Sequence, residues 1–337
     1  MYLPFADIHF DPVILITIGF CVGVLGGFFG VGGSWMVTPA LNMFGFPMAF
    51  AIGTDLAHIM GKSIIATFKH RQLGNVDLKL GLLMIIGTAA GVEAGKELIL
   101  HLERTGHVEP VVRVIYIVIL GSIGSYMVYD YFAFTRETRR RLPGLAVAER
   151  IGSALSRKLH DWHAPPMVSL QTSRIRAISF WAILVVGFAT GLFAGFLGGG
   201  AGYIRLPALV YAIGVPTTIA VGTDLFEIIF SAGIGAFLYA LEGKVDLTAA
   251  MTMMVGAAVG AQIGTIATRY VKSMRIRLYF GYTVLLAGLS VLLKQWAVHT
   301  EAPQLGLAAG YLIVGLALFM SLLIMLSLAK GVREEKR

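Results

Sequence analysis

A glycine-rich stretch that occurs twice constrains this chain most: Gly26-Gly27-Phe28-Phe29-Gly30-Val31-Gly32-Gly33 and Ala194-Gly195-Phe196-Leu197-Gly198-Gly199-Gly200-Ala201. Each copy sits inside a long apolar run, not between a strand and a helix where a nucleotide loop lies. Glycines at this density let the backbone leave the helix, adopt positive φ and approach other groups closely. The surrounding chain is 57% hydrophobic and 14% charged, with a mean hydropathy of +0.78; soluble domains carry roughly 25% charged residues. Apolar runs of about 20 residues recur along it, which is the signature of a polytopic membrane protein. In a bilayer, non-helical backbone survives only where protein covers it or where it lines a polar cavity. Two such breaks, one per half, point to a transporter binding site.

The matches extend well beyond the glycine cores. Gly19, Gly23, Gly27, Phe28, Gly30, Gly32, Pro39, Ala40 and Leu41 align with Gly187, Gly191, Gly195, Phe196, Gly198, Gly200, Pro207, Ala208 and Leu209. After a one-residue insertion, Pro47 aligns with Pro216 and Gly53-Thr54-Asp55-Leu56 with Gly222-Thr223-Asp224-Leu225. Gly74, Val76, Asp77 and Leu78 then align with Gly243, Val245, Asp246 and Leu247, and Gly87, Gly91 and Gly95 with Gly256, Gly260 and Gly264. A duplication of this kind divides the chain into a first transmembrane repeat (1–132), a basic linker (133–176) and a second repeat with an extra C-terminal helix (177–337). The glycine-broken segments are 13–44 and 177–214. Ordinary spans are expected near 48–68, 78–100, 111–132, 217–241, 247–268, 278–296 and 304–329. The triplets spaced by four suit close helix packing.

Charge sets the expected topology, because cytoplasmic loops hold the excess of Lys and Arg. The linker carries Arg136, Arg139, Arg140, Arg141, Arg150, Arg157, Lys158, Arg174 and Arg176; 269–277 and the C-terminal tail carry four basic residues each. If every long segment crossed once, 269–277 and the tail would lie outside. If each broken segment enters and returns on one side, they join the linker in the cytoplasm. The expected fold is therefore all-α and polytopic, with two inverted repeats, each holding a glycine-broken re-entrant hairpin. Both glycine cores are expected to meet near the midplane. Residues 1–12 lack a basic n-region, so no signal peptide is expected. Ile151, Leu155, Leu159 and Trp162 recur at helical spacing, which suits an interfacial or a solvated helix.

The paired pattern Gly-x3-Gly, Phe-x-Gly-x-Gly-Gly, Pro-x-Leu, then Pro and Ala-x-Gly-Thr, resembles the TauE/SafE family of sulfite exporters, over nearly the whole chain outside the linker. The resemblance implies a secondary carrier, an exporter of small sulfur-containing anions such as sulfite or organosulfonates. Where the family commonly has Ser after Gly-Thr, this chain has Asp55 and Asp224.

The candidate substrate-binding residues start at the breaks: Gly30, Gly32, Gly33, Ser34, Gly198, Gly199 and Gly200. A helix that restarts inside the membrane turns free N–H groups and the positive end of its dipole toward the cavity, which favours an anion. Thr54, Thr223, Lys62 and Arg205 complete the set. Arg205 has Val37 as its first-half counterpart, so the duplication does not account for it; its planar fork suits an oxyanion, or it pairs with Asp224 or Glu227. Asp55, His58 and Lys62 fall on one helical face, and Asp224 and Glu227 repeat the spacing. The three acids Asp55, Asp224 and Glu227 and the imidazole of His58 suit proton coupling, while the two aspartates equally suit helix capping. Glu93 is expected to pair with Lys96 or Lys62.

No nucleophile elbow and no metal-spaced His/Cys set occurs, and the glycine clusters lack the Lys-Ser/Thr ending of a phosphate loop. The chain reads as a non-enzyme without cofactor, metal or nucleic-acid partner, its partners being a small anion and the lipid bilayer of the cell membrane. A passive anion channel and a non-transporting membrane partner are the competing functions.

Overall fold

The computed structural model describes residues 2–3, 8–31, 34–140, 156, 159–162, 164–198, 201–271 and 273–335. Among them are eleven helices: α1 (Pro12–Phe29), α2 (Ser34–Met43), α3 (Met48–Gln72), α4 (Leu78–Arg104), α5 (Val108–Arg140), α6 (Phe180–Leu197), α7 (Gly202–Pro207), α8 (Thr217–Leu241), α9 (Leu247–Ala267), α10 (Ser273–His299) and α11 (Pro303–Glu335). A π-helical turn, Ala208–Ile213, continues α7 after Pro207. Eight helices are long and apolar enough to cross a membrane: α1, α4, α5, α6, α8, α9, α10 and α11. Helix α3 is 25 residues long, and Asp55, His58 and Lys62 dilute its apolar character. The all-α expectation holds for a polytopic membrane protein, with two short antiparallel ladders added: β1 (Tyr2–Leu3) with β2 (Ile8–His9), and β3 (Met167–Leu170) with β4 (Ile175–Ser179).

The second ladder begins within the stretch read from sequence as linker, 133–176, and runs three residues past it to Ser179. Leu170, Ile175 and Ile178 point inward from it, and its turn docks on the start of α4, where Ser173 donates from N and Oγ to Asp77 Oδ2 at 3.1 and 2.7 Å. Of the amphipathic pattern in the linker, Ile151 and Leu155 lie outside the described residues.

Helix starts follow the aspartates, though not the expected pair. Asp11, Asp77 and Asp246 cap α1, α4 and α9 by accepting from Val13 N, Leu80 N and Ala249 N at 2.8, 3.1 and 2.9 Å. Asp55 and Asp224 lie two turns inside α3 and α8, whose first turns follow Pro47 and Pro216 without a side-chain cap. The capping role proposed for Asp55 and Asp224 is therefore corrected: proline, with its fixed φ, starts both helices.

The glycine triplets are packing devices. Gly19, Gly23 and Gly27 of α1 face Met253, Ala257 and Ala261 of α9, and Gly187, Gly191 and Gly195 of α6 face Met84, Thr88 and Val92 of α4. A Cβ at any of these six would come within 1.9–2.7 Å of the facing carbonyl oxygen, so only glycine fits. Residue numbers rise together along both pairs, so each pair runs parallel. Equivalent helices do the opposite: Leu56 and Met60 of α3 meet Gly235 and Gly233 of α8, and Leu120 and Val128 of α5 meet Gly288 and Gly281 of α10, both in antiparallel order. The halves also exchange matching bonds. Asp77 N donates to Thr223 Oγ1 and Asp246 N to Thr54 Oγ1, each at 2.9 Å. Thr54 and Thr223, expected at the substrate, thus tie each half to the other's α-helical cap.

Candidate functional site

At both breaks the helix ends on a glycine with positive φ, 74° at Gly30 and 83° at Gly198. The end of a helix leaves carbonyls without intrahelical donors, and in a membrane other protein groups must serve them. His70 Nε2 lies 2.9 Å from Gly27 O. Its counterpart in the second repeat, Tyr239, donates to Gly195 O at 2.8 Å, and Tyr116 donates to Leu197 O. Lys62 Nζ donates to Val22 O at 3.3 Å. Val22 lying by Lys62 and Gly27 by His70, α1 and α3 run in the same direction, so α2 carries the chain back between them.

The breaks do not meet. A Cβ at Gly30 would touch Val221, and one at Gly198 would touch Thr38 and Ile52. Val221 lies in the first turns of α8, beside the loop that follows α3, since Gly222 packs on Asn75 O; Ile52 begins α3. The 20 residues between Ile52 and the end of α3 span about 30 Å. The expected midplane meeting of the glycine cores is thereby corrected: antiparallel packing of α3 on α8 sets Gly30 beside the first turns of α8 and Gly198 beside the first turns of α3, apart from each other. Gly32, Gly33, Gly199 and Gly200 lie outside the described residues, as does the side chain of Ser34.

Two polar clusters fill the interior instead. In the first, Asp55 Oδ2 accepts from Thr38 Oγ1 at 2.8 Å, and Asp55 Oδ1 lies 3.7 Å from His58 Nδ1. Neither His58 nitrogen has a hydrogen-bond partner. Tyr116 and Tyr203 stack beside it with ring centroids 6.1 Å apart. In the second cluster, Arg205 Nη1 bonds Asp224 Oδ1 at 3.1 Å and also Glu227 Oε2, and Arg205 Nε donates to Thr190 Oγ1 at 3.3 Å. Ser231 Oγ donates to Glu227 Oε2 at 3.1 Å. Arg205, Asp224 and Glu227 are each 0% exposed, and Arg205 Nη2, Asp224 Oδ2 and Glu227 Oε1 have no hydrogen-bond partner. One guanidinium therefore faces two acids in a fully buried site, with three polar atoms left over. Glu93 pairs with Lys96 at 3.1 Å.

The structure thus gathers Asp224, Glu227 and Arg205 into one site and Asp55 with His58 into another, with Lys62 one turn further along α3. Sequence reasoning missed Thr38, Tyr116, Tyr203, Thr190, His70 and Tyr239. His70 and Tyr239 occupy equivalent positions in the duplication; they differ in residue type, so a search for identities passes over them.

Packed spans, helices interrupted at Gly30 and Gly198 and ionisable residues buried between them are the features of a membrane transporter. The description "Sulfite exporter TauE/SafE" matches residues 15–291, and the chain belongs to that family. It is 27% identical over 288 residues to "Probable membrane transporter protein YunE" of Bacillus subtilis, covering 82% of this chain and 95% of that protein. It is 24% identical over 301 residues to "Probable membrane transporter protein MJ0441" of Methanocaldococcus jannaschii, covering 83% and 95%. No solved structure matches.

Proposed function

We propose that this chain is a proton-coupled exporter of small sulfur-containing anions such as sulfite or organosulfonates, and that Arg205 is shared between substrate and protein carboxylates. The observation that carries this reading is the cluster of one cation and two acids, all buried. Burying a charge is costly unless it is paired, and two carboxylates side by side do not both ionise readily. Charge balance leaves one proton on the Asp224–Glu227 pair. A second proton releases Arg205, whose planar fork then accepts an oxyanion. Proton and anion thus bind and leave together, so net flux follows the combined gradients of both and runs outward where the anion is in excess inside; departure of the anion returns Arg205 to its acids. We place Asp55 and His58, 3.7 Å apart in the other half, as the second candidate pair for proton coupling.

Antiparallel packing of equivalent helices supports inverted repeats in the cell membrane. Arg277 bonds Asp130, near the end of α5, at 3.3 Å, and Arg269 bonds Glu335 at 3.1 Å. The start of the linker, the 269–277 stretch and the C-terminal tail therefore share one end of the bundle, which supports a cytoplasmic assignment for all three.

The test is flux of sulfite and methanesulfonate in vesicles holding the purified protein. Saturable flux driven by an imposed pH gradient is expected, and Glu227→Gln should remove the gradient dependence. Flux that neither saturates nor responds to pH would mark a passive channel. Absence of flux across a panel of sulfur oxyanions and carboxylates would mark a non-transporting partner.

A further inference from the structure

An open recess lies between α10 and α11, at the end of the bundle where the linker starts. Tyr270, Arg275, Tyr279, Ser327, Lys330 and Glu334 line it, and its volume is about 130 Å³, several times the room one water needs. We propose that this recess holds the phosphate of an anionic phospholipid, whose acyl chains lie along the outer faces of α10 and α11. The depth of the recess follows from the sequence. Helix α11 carries no charged residue from Gln304 to Ala329, and Lys330 is the first. On α10, Arg275 and Arg277 precede an uncharged run over 278–293. Runs of this kind belong in the hydrocarbon core. Arg275 and Lys330 therefore stand where the core ends, beside Tyr270 and Tyr279, a residue type that suits the interface.

Charge at the recess favours an anion. The stretches 269–277 and 330–337 hold eight basic residues against two acids, Glu334 and Glu335. Glu335 is already engaged, because Arg269 Nη2 and the Tyr270 hydroxyl donate to it at 3.1 and 2.7 Å. Glu334 pairs with Lys330 at 3.9 Å, with both side chains exposed, and an exposed pair of that kind is weak. Arg277 turns away to Asp130 at 3.3 Å, whereas exposed Arg275 forms no ion pair with any described residue. Its fork suits two phosphate oxygens, and Lys330 adds a point charge from the neighbouring helix. Tyr270 packs on Gly331, where a Cβ would lie 2.5 Å from its ring, so one wall of the recess is closely packed.

What lies below the cations marks the occupant as a lipid. Along α10, at steps of three and four from Tyr279, Tyr282, Leu286 and Leu289 are exposed. Along α11, at steps of four and three from Lys330, Leu326, Leu322 and Phe319 are exposed. Such spacings keep each set on one helical face, so both apolar stripes start at the recess and run toward the middle of the membrane. A phosphate held by Arg275 and Lys330 has an apolar track beneath it, and a two-chained lipid satisfies both parts at once. Basic pockets between spans bind anionic head groups on the cytoplasmic side; placing this one in that leaflet rests on the topology of the transport reading.

Lipid binding to the full-length protein in detergent tests the site without requiring transport. Native mass spectrometry compares phosphatidylglycerol with zwitterionic phosphatidylcholine of the same chains. Phosphatidylglycerol should bind several-fold more tightly, and Arg275→Gln with Lys330→Gln should weaken it roughly tenfold or more. Arg275→Lys with Lys330→Arg should retain most of the affinity. Arg71→Gln removes an exposed charge at the same end, outside the recess, and should change nothing. Glu334→Gln should strengthen binding, a gain that misfolding cannot mimic. Absence of a preference for phosphatidylglycerol would overturn the site. So would equal losses from Arg71→Gln and from the double variant, since only the overall basic charge of that end would then matter. Soluble glycerol 1-phosphate in large excess should leave the lipid bound; displacement by it would overturn the lipid as occupant in favour of a bare anion.

Discussion

At the scale of single residues, Arg205 is both the most costly side chain in the interior and the most informative. It has no counterpart in the repeat, and it serves two acids that also lack full satisfaction. Removing one member of a buried ion pair costs roughly 3–5 kcal/mol, because the remaining charge is left uncompensated. Arg205→Gln should therefore lower the thermal stability of the detergent-solubilised protein, and adding Glu227→Gln should recover much of the loss. A single variant as stable as the parent would show that the acids carry protons throughout and that Arg205 is not needed to balance them. The carbonyls at the breaks give a second prediction. Tyr239→Phe keeps the ring and orphans Gly195 O, and a buried unpaired acceptor costs about 1–3 kcal/mol. Melting curves of Tyr239→Phe beside a lipid-facing control such as Tyr311→Phe should separate by that margin, since Tyr311 is 72% exposed.

Helices pair where glycine permits it, and this is the part of the fold that was plain in the sequence. Spacing by four in matched triplets announces a flat helix face, and the two parallel pairs α1/α9 and α4/α6 use those faces. The prediction is specific. A Cβ at Gly260 would lie 2.1 Å from Phe20 O, whereas nothing lies within 4 Å of one at Gly121. Gly260→Ala should destabilise by roughly 1–3 kcal/mol through forced backbone separation, while Gly121→Ala should be neutral or stabilising. Equal melting temperatures for the two would mean that α1 and α9 do not press together as described. The lone buried ionisable residues were legible for the same reason as the glycines, since each is costly where it stands. Tyr116, Tyr203 and Thr38 were not, because a tyrosine or threonine in an apolar run is common and nothing in its spacing marks it. The β3–β4 hairpin was hidden by its neighbours: only Val168 and Leu170 keep a spacing of two, Ile175 and Ile178 are three apart, and a surrounding excess of arginine makes the stretch look like solvated linker.

Across the whole molecule, the two halves hold each other more than themselves. Broken helix α1 rests on α9 of the other half and α6 on α4, and the matched bonds from Asp77 to Thr223 and from Asp246 to Thr54 cross the same divide. A relation in which each contact is returned by its counterpart is that of a two-fold axis. Equivalent helices α3 and α8 run antiparallel, the relation that the proposed inverted repeats require. The residue matches that relate the halves can be listed from sequence alone, whereas the direction in which the matched helices pack required coordinates. This arrangement fixes which surface residues share a face. Arg174, in the turn of the β3–β4 hairpin, sits at the start of α4 with Asp77, whereas Glu242 follows the far end of α8, a 25-residue helix about 37 Å long. In a Cys21→Ala background, Arg174→Cys and Glu334→Cys should resist a membrane-impermeant thiol reagent in intact cells and react after permeabilisation. Glu242→Cys and Glu301→Cys, both exposed in the structure, should react in intact cells. The four positions are solvated loops or helix ends, so their substitution leaves the packed interior unchanged. Labelling of 174 and 334 from opposite sides would break the two-fold relation, because α11 would then cross the membrane in the sense opposite to the one its contact between Arg269 and Glu335 requires.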